Sequence, residues 1–115
     1  MFENELDRLR YMLDAMNIPY ENYKEKWNPK IIEVDPEFYS GNNRFRRNQI
    51  IYGRKDNNWK IDGICQMGSY GAVEGLIETY GTLGVDAEGD PLVLNADEVF
   101  QIIAEDWKEG KNDSI

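Results

Sequence analysis

The chain has 115 residues, a net charge of -9 and no histidine, and its hydrophobic fraction of 41% includes Trp27, Trp59, Trp107, seven Tyr and four Phe. That length fits one domain around one core, the aromatic content excludes a disordered chain, and the lack of histidine removes the usual general base, the Ser-His and Cys-His nucleophile pairs and the commonest metal ligand. Acidity opposes sequence-independent binding to DNA or RNA phosphates, no run approaches the ~20 apolar residues that cross a bilayer, and a single cysteine, Cys65, suits a reducing compartment. The expectation is therefore a cytoplasmic, non-enzymatic protein with no cofactor or metal and no direct contact with nucleic acid or membrane.

In chain order, Phe2, Leu6, Leu9, Leu13 and Met16 recur at four, three, four and three residues, which predicts a helix over 2–16 with an apolar stripe. Asn17, ahead of Ile18 and Pro19, ends it. Tyr11 and Met12 extend the apolar surface beyond the stripe, which supports a homodimer through this helix. Residues 18–40 read as irregular connections around one short strand at 31–34 (IIEV). A strand over 49–52, a turn cluster over 53–58 and a returning strand over 59–65 form a β-hairpin.

Beyond the hairpin, Gly68, Ser69, Tyr70 and Gly71 read as a turn that opens a short helix carrying Val73, Leu76, Ile77 and Tyr80, with Gly81 as its C-terminal cap. An acidic loop over 84–91 precedes residues 92–94, either a short edge strand or a helix lead-in. Asn95 with Glu98 three residues on is a capping box for a last helix that buries Val99, Phe100, Ile102, Ile103 and Trp107 and ends near Gly110. Residues 111–115 are a disordered tail. The order of elements predicts one α+β domain over 1–110, a small antiparallel sheet with a central β-hairpin packed by about three helices. Its core joins Leu9, Leu13, Ile61, Leu76, Phe100 and Ile103.

One segment reverses the charge of the rest: residues 41–60 hold Arg44, Arg46, Arg47, Arg54, Lys55 and Lys60 against Asp56 alone. It runs into the glycine turn, and basic side chains beside a helix N-terminus make an anion site. Backbone N–H groups, the Ser69 hydroxyl and the close approach allowed by Gly71 would meet a phosphate or carboxylate, Arg44, Arg46 and Arg47 would clamp it, and Tyr70, Tyr52 or Trp59 would stack on a base. The plainer reading gives Ser69 a capping role, the glycines a turn, and the arginines weak surface pairs. Asp86, Glu88 and Asp90 alternate around Gly89, but an acidic turn explains them better than a calcium loop, whose glycine position is taken by Pro91. Cys65 lies in an apolar run and reads as a small buried hydrophobe.

Between Trp59 and Trp107, the residues Cys65, Gly68, Ser69, Tyr70, Gly71, Glu74, Gly75, Leu76, Glu78 and Gly81, with the helix start Asn95, Ala96, Asp97, Glu98 and Val99, resemble small uncharacterised proteins of phages and prophages of Gram-positive bacteria. The resemblance covers under half the chain and implies a context, the inhibition of host functions such as antiviral defence. Two modes of binding follow. In one, a nucleotide-like anionic ligand is sequestered at the glycine turn; in the other, the carboxylates of the first helix and of residues 84–109 make an acidic nucleic-acid mimic that blocks a host defence protein.

Overall fold

The computed structural model describes residues 2–28, 30 and 40–113, with side chains to Gly110. Helix α1 spans Glu5–Ala15, β1 Glu21–Lys26, a 3-10 turn Gly41–Arg44, β2 Phe45–Tyr52, β3 Ile61–Ile64, β4 Ile77–Tyr80, β5 Leu92–Leu94 and α2 Ala96–Asp113. The strands form one sheet in the order β1-β2-β3-β4-β5, with every neighbouring pair antiparallel. The α+β class therefore holds, with two α-helices among the described residues rather than about three.

Helix α1 starts where Asn4 caps it, its side chain accepting from the Asp7 N–H at 2.9 Å. It stops at Asn17, which takes a left-handed φ of 55°. The N–H groups of Ile18 and Asn17 return to the carbonyls of Leu13 (3.0 Å) and Asp14 (3.1 Å), the two bonds of a Schellman end. Helix α2 starts on the expected capping box: Glu98 N–H donates to Asn95 Oδ1 (2.9 Å) and Asn95 N–H to Glu98 Oε1 (3.1 Å). Its helical run passes the expected stop at Gly110 and continues to Asp113.

Both helices cover the same face of the sheet. Leu6, Leu9 and Leu13 of α1 and Ala96, Val99 and Ile103 of α2 are fully buried against Ile50, Ile61, Cys65 and Ile77. Of the expected core, Leu9, Leu13, Ile61 and Ile103 are fully buried, Phe100 packs partly buried at its margin, and Leu76 is half-buried beside Gly71 rather than in it. With its leucines consumed in the chain's own core, α1 and its flanking residues leave Phe2, Tyr11 and Met16 as the large apolar side chains that stay exposed.

Two strands differ from expectation. The glycine turn opens no helix: residues 70–75 are a turn, and 77–80 are β4. Gly71 and Gly75 hold positive φ values of 81° and 75°, which right-handed helix excludes, and Glu5 N–H bonds the Gly75 carbonyl at 2.8 Å. Gly81 caps no helix either; its backbone turns against the Lys60 carbonyl, 2.5 Å from where a Cβ would sit. Strand β1 falls in the stretch read as irregular, and its sequence ENYKEK lacks apolar alternation because Asn22 and Lys24 meet the polar side chains Arg10 (2.7 Å) and Asp7 (2.9 Å) of α1. The expected strand over 31–34 lies outside the described residues. The short segment 92–94 is an edge strand.

Leu13 is fully buried between helix and sheet, so Leu13→Ala should lower the unfolding free energy by ~2–5 kcal/mol in a urea titration, whereas Met16→Ala, at an exposed position, should change it by less than about 0.5 kcal/mol.

Candidate functional site

Side chains alternate along β2, so Asn48, Ile50 and Tyr52 face the helices and Arg47, Gln49 and Ile51 the opposite side. The expected site residues are divided by that alternation. Arg47 lies over the Tyr23 ring, its guanidinium carbon 3.7 Å from the centroid, and donates to Gln49 Oε1 at 2.8 Å. Arg46 sits at the irregular step of register between β1 and β2 and pairs with Glu25. Arg44, at the end of the 3-10 turn, pairs with Glu3. Tyr52 is buried on the helix side, where its hydroxyl donates to Asp106 Oδ2 at 2.6 Å. Trp59 leads into β3, with the Arg54 guanidinium 5.7 Å from its ring centroid.

The glycine turn and the loop before β2 do meet. Asn42 Nδ2 donates to the Ala72 carbonyl at 2.7 Å, and a hollow of about 210 Å3 lies between them, lined by Ser40, Gly41, Asn42, Asn43, Ala72 and Val73. None of those lining residues is charged. The turn also uses its own donors. Ser69 Oγ accepts from the Gln66 N–H and donates to the Gln66 carbonyl (3.0 and 2.8 Å), and the Tyr70 N–H points at Glu78 Oε2 at 3.3 Å. The anion this turn holds is therefore an internal carboxylate. At Gly71 an added Cβ would lie 2.5 Å from Val93 Cγ1, so the glycine is explained by packing on β5.

Most cations are engaged within the chain. Arg8, Arg10, Lys24, Arg44, Arg46, Arg54 and Lys60 each pair with a carboxylate. Arg8 bridges the helix starts, bonding Glu5 and Asp97, and Arg10 is buried between Asp7, Asn22 and the Tyr23 carbonyl. Against this, α2 carries a stripe of exposed carboxylates. Glu98, Glu105 and Glu109 are seven and four residues apart, on one line of the helix, and extend over about 16 Å at ~1.5 Å per residue. Glu98 accepts from the Asn95 N–H and Glu105 from Gln101; none of the three pairs with a cation among the described residues. This stripe was only partly legible in the sequence, where the acidic surface was read as all the carboxylates of the first helix and of residues 84–109, Asp97 and Asp106 included. Asp97 is bound by Arg8, and Asp106 by Tyr52 and Lys60.

In the loop before β5, Asp86, Glu88 and Asp90 bring ligand oxygens within 4.8 Å of one another. Asp86 Oδ1 accepts from the Glu88 and Asp90 N–H groups (2.9 and 3.0 Å), as the side chain of an acidic turn does. Burial pushes the Cys65 thiol up to about 12, which keeps it protonated and unreactive at neutral pH. No helix among the described residues is long and apolar enough to cross a membrane. Comparisons with protein families, curated proteins and solved structures find no match, so the resemblance to phage proteins rests on the residues quoted for it.

Two carboxylates on opposite faces of the sheet respond to their surroundings with opposite sign. Burial raises the Asp62 pKa, against a hydrogen bond from Gln49 and the charges of Arg47 and Arg54. At Asp106 burial also acts upward, but the bonds donated by Tyr52 and Lys60 outweigh it and hold the pKa below the ordinary value. A raised carboxyl favours the fold below its unfolded pKa and loses that contribution as pH rises through the folded value; a lowered one contributes above the unfolded pKa and loses it in acid. Asp62→Asn should therefore raise Tm at pH 7 and Asp106→Asn lower it; the first difference should fade as pH falls toward the ordinary carboxylate value of about 4, and the second only below it, as Asp106 protonates through its lowered pKa. A lower Tm for Asp62→Asn at pH 7 would contradict this assignment.

Proposed function

We infer that this chain is a non-enzymatic binding protein that acts as an acidic inhibitor, with the stripe of Glu98, Glu105 and Glu109 entering a basic groove on a partner protein as a nucleic-acid mimic. One observation carries the reading: seven cations are used in internal pairs while the exposed α2 carboxylates lack a cation among the described residues. Opposite charge on a partner gives such a surface its orientation and much of its association rate. The resemblance to phage proteins supplies the context, in which the partner is a host defence effector in the bacterial cytoplasm.

Sequestration of a nucleotide-like ligand by Ser69, Tyr70 and Gly71 has less support. The turn opens no helix of its own, Glu78 already occupies its N–H, and Arg44 and Arg46 are paired elsewhere. A larger side chain at Gly71 would collide with Val93 and disturb the fold regardless of any ligand.

The two readings separate by charge. Glu105→Gln with Glu109→Gln alters exposed positions that suit glutamine in a helix, and Glu98 is left intact because it caps α2. In host cells, cross-linking with mass spectrometry should recover a basic protein partner with the unaltered chain and with an Arg44→Gln, Arg46→Gln, Arg47→Gln variant. The double glutamate variant should weaken the purified complex by roughly tenfold, and added salt should weaken it as well. A complex indifferent to the glutamates and lost with the arginines would overturn the acidic reading.

A further inference from the structure

Between the β2-β3 hairpin and the last turns of α2 lies a cleft of about 350 Å3, walled by Pro19, Tyr52 and Trp107. That is at the lower end of the ~300–1,000 Å3 range of small-molecule sites, which pair apolar walls with a few placed polar groups. The polar group here is Lys60, whose Nζ lies 3.0 and 2.9 Å from the two oxygens of Asp106. Its aliphatic stem lies against Gly53, where an added Cβ would come within 2.9 Å of Cγ and Cδ. The lysine is thus held at both ends before any ligand arrives.

The sign of the ligand follows from which partner of the pair reaches solvent. The Lys60 side chain is 46% exposed and that of Asp106 20%, and Asp106 also accepts from the Tyr52 hydroxyl. An ammonium carries three donors, so two contacts to Asp106 leave at least one N–H for an incoming oxygen. A cationic ligand would instead have to displace Lys60 from Asp106. Flat walls select a flat body: the Trp107 and Tyr52 rings and the Pro19 ring favour a stacked aromatic system. At Gly110 an added Cβ would meet nothing within 4 Å among the described residues, so a side chain there has room beside the cleft.

We propose that this cleft binds a planar aromatic anion, its ring against Trp107 and Pro19 and its carboxylate or phosphate oxygen on Lys60. The site is separate from the acidic stripe and does not depend on it.

NMR amide spectra of the whole chain, titrated with indoleacetate and with adenosine monophosphate, test this against the neutral counterparts indole and adenosine. Saturable shifts should centre on Gly53, Lys60, Trp107 and Gly110, with at least one anion binding roughly fivefold or more tighter than its neutral counterpart. An indoleacetate response identifies an aromatic carboxylate ligand and an adenosine monophosphate response a nucleotide. Lys60→Met, which keeps the stem, should erase the preference for the anion. Gly110→Leu should abolish the shifts while Tm holds or rises, because leucine favours helix over glycine and its side chain enters the cleft; this variant decides the matter even if Lys60→Met unfolds. No saturable shifts at the cleft, equal affinity for neutral and anionic ligands, or binding untouched by Gly110→Leu would overturn the proposal.

Discussion

The structure depends on one constraint: a five-stranded antiparallel sheet covered by both helices on a single face. Period-two alternation then assigns every strand residue to the covered or the open side. Arg47 and Tyr52 are five positions apart on one strand, an odd number, so they must fall on opposite faces. Tyr52 joins the core and Arg47 lies over Tyr23 on the other side. Parity thus separates Arg47 from Tyr52, while Arg44 and Arg46, before the strand and at its irregular step, are held by Glu3 and Glu25.

The same constraint governs where charge goes. On the covered face, β1 contributes polar residues, and α1 answers with Arg10 and Asp7 instead of leucines. Buried charge of this kind is tolerated only when its donors are satisfied, and Arg10 reaches Asp7, Asn22 and a backbone carbonyl. On the edge and open face, Arg46 and Arg54 pair with Glu25 and Glu21 of the neighbouring β1. Part of the basic segment conspicuous in the sequence therefore serves to hold the glutamates of β1 in the sheet, and the net negative charge is expressed elsewhere, on α2 and the loop before β5.

What the sequence disclosed was set by how much apolar pattern each element needs. Helix α1 and helix α2 bury a continuous stripe, and their end signals, Asn17 and the pair of Asn95 and Glu98, act through local backbone bonds; these were legible. The hairpin of β2 and β3 was legible because Ile50, Ile61 and Cys65 alternate into the core. Strand β1 was not, since its inward residues are polar and their partners lie on α1, distant in sequence. Strand β4 was misread because Val73, Leu76, Ile77 and Tyr80 happen to match a helical period. Only Ile77 of these is core; Val73 is 89% exposed. Two glycines four residues apart, Gly71 and Gly75, were the local signal for a turn, and the β-branched Ile77 and Thr79 were the signal for a strand.

The candidate site was harder to read than the fold because it is defined by what is left over. Asp97, Glu105, Asp106 and Glu109 look alike in one dimension, yet Arg8 lies 89 positions from Asp97, and Tyr52 and Lys60 lie 54 and 46 positions from Asp106. Only the tertiary structure shows which carboxylates are occupied. Helix α2 then carries three distinct surfaces: an apolar one in the core, a line of glutamates with no cation among the described residues, and near its end Asp106 and Trp107 facing the hairpin. Glycine inside a helix costs about 1 kcal/mol relative to alanine, and at Gly110 no atom of the described residues would crowd an added Cβ. The structural consequence of that glycine is room beside the cleft, which is why a substitution there separates the stability of the helix from access to Lys60.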